Sequence, residues 1–357
     1  MSRFLLLLLF TAVVISSSAQ SSTEPEGSHT YRGSIHTKGS DDQYTKPSLI
    51  PLAPAPRAMA EWEEVEYLVL AWTHHLPTIV EVIRHAQRHT KVLILCEDSV
   101  HVSAYLDLCN ILLENVHFLH TSFNSVWVRD YGGYSVYANG VGERYLADWM
   151  YNRPRPLDDR VPTHIAKFTG IHHYQMDQGP WEIIHAGGNF LTDGLGTGFS
   201  SELFLQENGL DHPSMGLAKT PEQTKELLHQ FMGIHRYITF PNLPYDGIHH
   251  LDMHMKLLDE ETLLVGQYPK GVSNGPQIEA NLQYLNQQHL SSFGKPYKIV
   301  RIPMPDDEGR YPPEVSATYR SYTNAVIVNR LIMVPTFGIP EDTIAIEIYQ
   351  KIMPGYE

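Results

Sequence analysis

The sequence contains 357 residues, with 26 lysines and arginines against 40 aspartates and glutamates and a formal net charge of −14 at pH 7. This acidity disfavours nucleic acid and anionic membrane surfaces as partners and suits a cationic ligand. The two cysteines, Cys96 and Cys109, lie among aliphatic residues. They could form one disulfide but not a disulfide framework, and their setting is typical of small buried hydrophobes rather than nucleophiles.

The first 47 residues have the composition of a targeting segment followed by a linker. Residues 1–3 are short and basic, residues 4–15 are apolar, and small residues up to Ala19 offer a cleavage site. This pattern predicts a secretory signal peptide at 1–19, too short to span a membrane. Residues 20–47 are rich in Ser, Thr, Gly and charge, which predicts a flexible linker. We expect a secreted or periplasmic protein whose folded domain covers 48–357, without a membrane span.

Strand and helix patterns alternate from residue 66 onward. The pattern predicts a strand at 66–72, a helix at 76–89 and a strand at 91–95. Four later units each lead from a polar cluster through a strand, a turn and a second strand. They lie at 126–137 with a turn at Asn139-Gly140, at 185–194, at 247–265 and at 321–335, and helices are predicted at 220–232, 277–288 and 340–352.

The polar clusters recur at intervals of about 60 to 70 residues, marked by Asp130, Asn189, Asp252 and Asn324. A recurring unit of this size predicts strand-rich units around a central axis, which would bring one cluster per unit to a shared centre. The alternative is an ordinary α/β domain in which the hairpins are unrelated.

The stretch His250-Leu251-Asp252 is the strongest candidate for chemistry. Polar positions alternate with Leu251 and Met253, which predicts a β-strand carrying His250 and Asp252 on one face. An imidazole beside a carboxylate is suited to proton transfer next to a cationic group. The alternative is a solvated polar face that also includes His254.

Four motifs, in this order, resemble the bacterial Porphyromonas-type peptidyl-arginine deiminase family and its relatives, the agmatine deiminases. The resemblance covers roughly residues 58–357, and the motifs are Trp127-Val128-Arg129-Asp130, Gly187-Gly188-Asn189, His250-Leu251-Asp252 and Tyr322-Thr323-Asn324. It implies an α/β fold, the pentein α/β-propeller, with five ββαβ-type blades around a pseudo-fivefold axis. It also implies cofactor-free hydrolysis of a guanidinium to a ureido group, with release of ammonia, through a covalent intermediate on a cysteine.

The resemblance assigns roles to the four polar clusters. Asp130 and Asp252 would each bind one side of the substrate guanidinium, whose N–H forks match carboxylates. His250 would act as general acid and base. Asn324 would polarise and orient the substrate, and Trp127 would cover its aliphatic stem. Asn189 is predicted to contact the substrate as well.

A further segment bears on the choice of substrate. Arg153 and Arg155 in Asn152-Arg153-Pro154-Arg155-Pro156 resemble the segment by which the family binds the carboxylate of a C-terminal arginine. Agmatine has no carboxylate, and agmatine deiminases carry an acidic residue where this chain has Ala186. Both features favour peptidyl-arginine, or free arginine, over agmatine. The alternative is a solvated arginine pair in a surface loop.

The family's nucleophilic cysteine lies in a last strand that follows a helix. Here the predicted helix at 340–352 is followed by Pro354-Gly355-Tyr356-Glu357. We therefore expect a domain that is incomplete at its C-terminus, with a truncated last blade and no catalytic cysteine.

Two other functions compete with a deiminase. A metal-dependent protein could use His250, Asp252 and His254, completed by His185 or His249. A non-catalytic protein could bind arginine-containing peptides with the same residues. The sequence makes no prediction about oligomeric state.

Overall fold

The computed structural model describes residues 56–138, 143–209, 218–271, 273–306 and 319–357. The predicted signal peptide (1–19), the predicted linker (20–47) and the predicted turn at Asn139-Gly140 lie outside these ranges. Within the described ranges, no helix combines the length and the apolar character that crossing a membrane requires.

Sixteen strands and eight α-helices follow one another in the described chain. The strands are β1 Arg57–Ala58, β2 Tyr67–Ala71, β3 Lys91–Cys96, β4 Val116–His120, β5 Tyr134–Tyr137, β6 Arg144–Tyr151, β7 His172–Met176, β8 Ile184–His185, β9 Leu191–Thr192, β10 Thr197–Ser201, β11 Arg236–Phe240, β12 Met255–Leu257, β13 Thr262–Gln267, β14 Lys298–Pro303, β15 Val326–Val328 and β16 Leu331–Met333. The helices are α1 Leu76–Ala86, α2 Ser99–Leu108, α3 Val128–Tyr131, α4 Val161–Thr169, α5 Leu203–Asn208, α6 Pro221–Met232, α7 Gly275–Gln288 and α8 Glu341–Ile352.

The strands form five separate sheets. The first, β2-β3-β4, is parallel throughout. In three others an antiparallel hairpin is followed by a helix and by a strand parallel to the second hairpin strand: β5-β6-β7, β9-β10-β11 and β12-β13-β14. The last sheet is the β15-β16 hairpin, followed by α8. The predicted α/β class and the recurring hairpin–helix–strand unit are therefore observed.

Local sequence explains why the helices begin where they do. Thr220 caps α6 by accepting the N–H of Gln223, whose side chain in turn accepts the N–H of Thr220. This reciprocal pair satisfies two backbone donors that a helix start leaves free. Pro340 immediately precedes α8, and acidic residues occupy its first turn, as the positive end of the helix dipole favours.

The fifth sheet carries an additional pairing beyond its hairpin. The N–H of Glu357 donates to the carbonyl of Arg330 at 2.8 Å, and the N–H of Ile332 donates to the carbonyl of Glu357 at 3.0 Å. This is the hydrogen-bond pattern of a parallel pair, with Glu357 opposite Leu331 in β16. Glu357 therefore holds the position on β16 that β7, β11 and β14 hold in their own sheets.

The buried core consists of five apolar clusters, and each one joins neighbouring sheets or their helices. Leu95 of the first sheet packs with Leu146 of the second. Core residues of β5–β7 pack with α6, those of β10 and β11 pack with β12 and β13, and those of β13 and β14 pack with β15. The last cluster closes the series, because Val328 of the fifth sheet packs with Ile94 of the first. The five sheets are therefore joined to one another through shared apolar clusters.

Candidate active site

The predicted strand through His250 and Asp252 is wrong. His250 has an extended backbone, residues Leu251–Met253 form a 3-10 turn, and β12 begins only at Met255. Leu251 is anchored in the core of the fourth sheet, and the N–H of His254 donates back to the Leu251 carbonyl. A strand and this turn both bury Leu251, so the alternation of polar and apolar residues did not distinguish them.

His250 and Asp252 nevertheless converge, together with Asp130, on the backbone of Gly188. A Cβ atom placed on Gly188 would lie 2.7 Å from His250 Nδ1 and 2.8 Å from both Asp130 Oδ1 and Asp252 Oδ2. A side chain at residue 188 would therefore collide with all three groups. The neighbouring Gly187 is equally confined, because its Cβ would lie 2.0 Å from the carbonyl oxygen of Arg129. The two glycines permit the close approach on which the site depends.

Asp130 is positioned by the short helix α3 and by the Gly-Gly-Asn turn. Its Oδ1 accepts the N–H of Gly188 at 3.0 Å and lies 3.6 Å from Nδ1 of His250. The His250 and Asp130 side chains are only 4% and 9% exposed. Among the described residues, both oxygens of Asp252 and Nε2 of His250 are buried without a hydrogen-bond partner. Buried polar atoms are rarely left unpaired, so these three atoms mark a site shaped for a polar ligand.

Burial dominates the electrostatics of the site. It raises the pKa of Asp252 well above its ordinary value, and the neighbouring Asp130 raises it further, while Arg129 and Lys256 oppose the change. Burial also lowers the pKa of His250, against the charge of Asp130. In the protein without a ligand, burial therefore favours the neutral imidazole of His250 and the protonated carboxyl group of Asp252. A cation between Asp130 and Asp252 would favour the ionised form of Asp252.

A buried ion cluster that sequence reasoning missed lies beside Asp252. Glu61 Oε1 lies 2.7 Å from Nζ of Lys256 and 3.4 Å from Nη2 of Arg129, and it accepts the N–H of Ile327 at 3.1 Å. Burial alone would raise the pKa of Glu61, but the two cations outweigh it and lower it. No local pattern could have indicated this cluster, because 195 residues separate Glu61 from Lys256.

Asn324 joins the site through its neighbours. The Thr323 hydroxyl donates to the carbonyl of Asp252 at 3.1 Å, and Nδ2 of Asn324 lies 3.7 Å from Sδ of Met253. The Tyr322-Thr323-Asn324 segment therefore packs directly on the 3-10 turn. The buried carboxamide of Asn324 lies next to the turn that carries Asp252.

Trp127 and Asn189 have defined structural neighbours. The half-buried indole of Trp127 packs against the core cluster that contains Leu95 and Leu146. Oδ1 of the buried Asn189 accepts the N–H of Ser201 at 2.9 Å, which joins the Gly-Gly-Asn turn to the end of β10. Contact of either residue with a substrate stays a prediction.

Arg153 and Arg155 do not share one set of neighbours. Arg155 donates to the Tyr151 hydroxyl at 3.1 Å and to Ser125 Oγ at 3.4 Å. Arg153 instead acts on the site, because its charge helps to lower the pKa of His250. Contact of Arg153 or Arg155 with a substrate stays a prediction.

Glu207 of α5 is a buried acid near Arg153 that the sequence did not single out. Its Oε1 accepts a hydrogen bond from Nδ2 of Asn152 at 2.9 Å. Burial raises the pKa of Glu207 to about 7, although Asn152 and Arg153 lower it. Its ionisation near neutral pH therefore changes the charge beside Arg153.

The metal-ion alternative finds no assembled site. In the described ranges, no group of three or more His, Cys, Asp and Glu residues could hold a metal ion. The ring of His185 lies among Trp149, Phe190 and Phe204. Burial lowers the pKa of His254 to about 4.

Neither cysteine has the environment of a nucleophile. Both are free thiols, so the possible disulfide is not formed. Cys96 is buried at the end of β3, where burial and then Asp98 raise its pKa to about 11. A thiol with this pKa is protonated at neutral pH, which removes the reactive thiolate. Cys109 packs against the same apolar cluster as Cys96.

Comparison with known proteins adds a family match and several relatives. A family model described as Porphyromonas-type peptidyl-arginine deiminase matches residues 57–357. A provisionally named agmatine deiminase of Marinomonas sp. (strain MWYL1) is 26% identical over an alignment of 358 residues. The alignment covers 88% of this chain and 90% of the relative. The agmatine deiminase of Pseudomonas aeruginosa (strain LESB58) is 24% identical over 355 residues, covering 88% and 92%.

Solved structures show the same fold. A provisionally named arginine deiminase from Porphyromonas gingivalis superimposes with a TM-score of 0.72 at 21% identity, covering 85% of this chain and 91% of that one. The agmatine deiminase of Enterococcus faecalis superimposes with a TM-score of 0.70 at 19% identity, covering 87% and 91%. At these identities the likeness concerns the fold alone.

Proposed function

The chain belongs to the Porphyromonas-type peptidyl-arginine deiminase family, and on that premise we propose that it deiminates the C-terminal arginine of peptides. The reaction consumes water, converts the guanidinium to the ureido group of citrulline and releases ammonia. It is a hydrolysis of an amidine C–N bond.

The observation that carries this proposal is the meeting of Asp130, Asp252 and His250 at Gly188. The two carboxylates face a shared point, and Asp252 has two buried oxygens that accept no hydrogen bond from the described chain. A guanidinium presents paired N–H donors in a plane, and its positive charge would favour the ionised form of Asp252. The acidity of the whole chain favours the approach of such a cation.

His250 is the group suited to move protons in this reaction. A cysteine thiol would pass its proton to the neutral His250 as the thiolate adds to the central guanidinium carbon. His250 would then give that proton to the departing nitrogen, which leaves as ammonia. His250 would then take a proton from water while the water oxygen attacks the same carbon. Cleavage of the carbon–sulfur bond would return the thiolate and release the ureido product.

We propose that this thiolate comes from a cysteine other than Cys96 and Cys109, neither of which has the environment of a nucleophile. Glu357 already pairs with β16 in the parallel register that follows a helix in three other sheets. A cavity of about 300 Å³, lined by β2, α3 and β15, reaches Arg129 and Gly187 beside the site. It offers space for a chain segment, and β2 is an edge strand along its wall. Ureido production by chains ending at residue 357 and beyond the next strand tests this, and turnover by the short chain would overturn it.

The five-bladed pentein arrangement belongs to the same proposal. Five sheets joined in series by apolar clusters, with the fifth packed on the first, support a ring around a pseudo-fivefold axis. An experimental structure of the extended chain would test it. A sixth sheet, or a gap between the fifth and first sheets, would contradict it.

We also propose export to the periplasm or the medium, from the signal-peptide pattern at 1–19. Sequencing the mature N-terminus after cell fractionation tests this. A protein that keeps Met1 and stays in the cytoplasm would refute it.

The proposed substrate end rests on Arg153. Its charge acts on His250 and on Glu207, so it lies where the carboxylate of a bound arginine could pair with it. Agmatine is the second candidate substrate, because the Pseudomonas aeruginosa relative is named an agmatine deiminase. Agmatine would leave Arg153 without an anionic partner.

Calorimetry on the 357-residue chain separates these substrates. We compare a dipeptide ending in arginine, its C-terminal amide and agmatine. Charge-assisted hydrogen bonds contribute about 1.5–3 kcal/mol, so the amide should bind at least about tenfold more weakly than the acid. Arg153→Ala should remove this difference, whereas Arg160→Ala, an exposed arginine in the same segment, should keep it.

Equal binding of acid and amide together with tighter binding of agmatine would favour the agmatine assignment. Failure of all three ligands to bind would overturn the proposed function itself.

A further inference from the structure

Ser201, the last residue of β10, makes two hydrogen bonds that connect separate parts of the site. Its N–H donates to Oδ1 of Asn189 at 2.9 Å, and its Oγ donates to the carbonyl of His249 at 2.6 Å. Ser201 is 3% exposed; its bond to Asn189 is buried and its bond to His249 is partly buried. Ser201 therefore links the Gly-Gly-Asn turn to the peptide immediately before His250.

The peptide that Ser201 holds has an unusual conformation. His249 has a φ of 58°, in the left-handed region that residues with a Cβ rarely adopt. An L-residue keeps such a conformation only where its surroundings impose it. The hydrogen bond from Ser201 fixes the carbonyl that this conformation presents. The direction in which the chain enters His250 depends on that peptide.

The hydrogen bond from Ser201 to Asn189 acts on the part of the site that holds Asp130. Asn189 closes the turn that contains Gly188, and the N–H of Gly188 donates to Asp130. Ser201 is thus bonded both to the turn that holds Asp130 and to the residue that precedes His250. The distance of 3.6 Å between His250 Nδ1 and Asp130 Oδ1 spans these two segments.

We propose that Ser201 is a positioning residue for His250. It holds the left-handed peptide at His249 against the Gly-Gly-Asn turn, so that the imidazole faces Asp130 and the Gly188 backbone in the buried site. The role deepens the proposed function because it concerns the same site, but it rests on the geometry of His250 and not on the identity of the substrate.

The charged surroundings of His250 give a measurable signature of this role. Asp130 and Asp246 raise its pKa, Arg153 and His249 lower it, and His185 is a further titratable neighbour. The largest influence is burial, which lowers the pKa. If the imidazole loses its restraint and reaches water, burial weakens and the pKa must rise towards its ordinary value.

The test compares Ser201→Ala with two matched variants in the 357-residue chain. Ser201→Thr retains a hydroxyl donor. Ser200→Ala removes the neighbouring buried hydroxyl, which donates to the Ser201 carbonyl and not to His249. NMR titration of the ring carbon measures the His250 pKa, with His250→Gln identifying its signal. Calorimetry measures the affinity for agmatine and for a dipeptide ending in arginine.

Ser201→Ala should raise the His250 pKa by about 0.5 unit or more and weaken binding of the preferred ligand several-fold. Ser200→Ala should leave both unchanged, and Ser201→Thr should restore them. If Ser201→Ala does not fold, Ser201→Cys, of similar volume but a weak donor, should give a smaller shift in the same direction.

A lower melting temperature for Ser201→Ala with an unchanged His250 titration would overturn the proposal, as would an equal shift in Ser200→Ala. If the parent chain binds neither ligand, the proposed function fails while the titration still decides the role of Ser201.

Discussion

Nζ of Lys256 lies 2.7 Å from Oε1 of Glu61, in a buried pair close enough to act on the charge of Asp252. Lys256 and Arg129 lower the pKa of Asp252, whereas Glu61 raises it. Removing Lys256 leaves Glu61 with only the longer contact to Arg129 and the N–H of Ile327.

Lys256→Met should therefore destabilise the protein by about 3–5 kcal/mol, the range for breaking a buried ion pair from one side. The double variant Glu61→Gln/Lys256→Met should regain part of this loss, because neither charge of the pair remains, while Arg129 still loses its contact with Glu61. Urea unfolding of the three chains measures the difference. A single variant as stable as the parent would show that the pair is not buried as described.

Asp252→Asn should stabilise the folded protein at high pH and should abolish binding of guanidinium ligands. Burial raises the pKa of Asp252, so the folded state disfavours its charged form. The resulting destabilisation is absent below the unfolded pKa and grows as the pH rises towards the folded pKa. At pH 8, Asp252→Asn should therefore be more stable than the parent by roughly 1–3 kcal/mol, and at pH 3 the two should be equal.

The same substitution should abolish binding of guanidinium ligands, because the asparagine cannot ionise. Parent affinity should rise with pH as Asp252 ionises, whereas any residual affinity of the variant should lack that rise. Thermal unfolding and calorimetry from pH 3 to pH 8 check both effects. Unchanged affinity in Asp252→Asn would refute the assigned role.

Gly188→Ala should eliminate ligand binding, because its Cβ would lie 2.7–2.8 Å from three site groups. The displacement of these groups should also destabilise the fold by about 1–3 kcal/mol, as overpacking commonly does. Gly247→Ala is the matched control, because a Cβ there meets no atom within 4 Å. Equal effects of the two substitutions on calorimetric affinity would contradict the convergence at Gly188.

Glu207→Gln should make binding of a peptide ending in arginine less dependent on pH. As the pH rises through about 7, Glu207 ionises near Arg153 and competes with the ligand carboxylate. Parent affinity for the acid should therefore fall by several-fold from pH 6 to pH 8, relative to the amide. The variant keeps the hydrogen bond from Asn152 and should lack this relative fall.

The stability of the folded protein should also depend on the ionisation of Glu207. Glu207 has a raised pKa in the folded state, so its contribution turns unfavourable as the pH climbs from the unfolded value of 4.5 through about 7. Glu207→Gln should raise the melting temperature at pH 8 but not at pH 4. Identical melting profiles of the two chains would show that Glu207 is not held in a buried environment.

Local sequence patterns were enough to identify much of the fold. The apolar runs at β2 and β3 and the spacing in α6 and α8 predicted elements that the structure contains, because burial of one face imposes a period on the chain. Recurring polar clusters predicted a shared centre, and Asp130, His250 and Asp252 meet there.

The sequence by itself determined the residue types at that centre, the recurring α/β unit and, through its motifs, the family. Only the tertiary structure decided that Leu251–Met253 is a turn, that Glu61 pairs with Lys256 and that Ser201 ties His249 to Asn189. The physical reason is the separation along the chain of the groups that interact. Periodicity records which side chains are buried, whereas hydrogen bonds and ion pairs depend on groups that the fold brings together from distant parts of the chain.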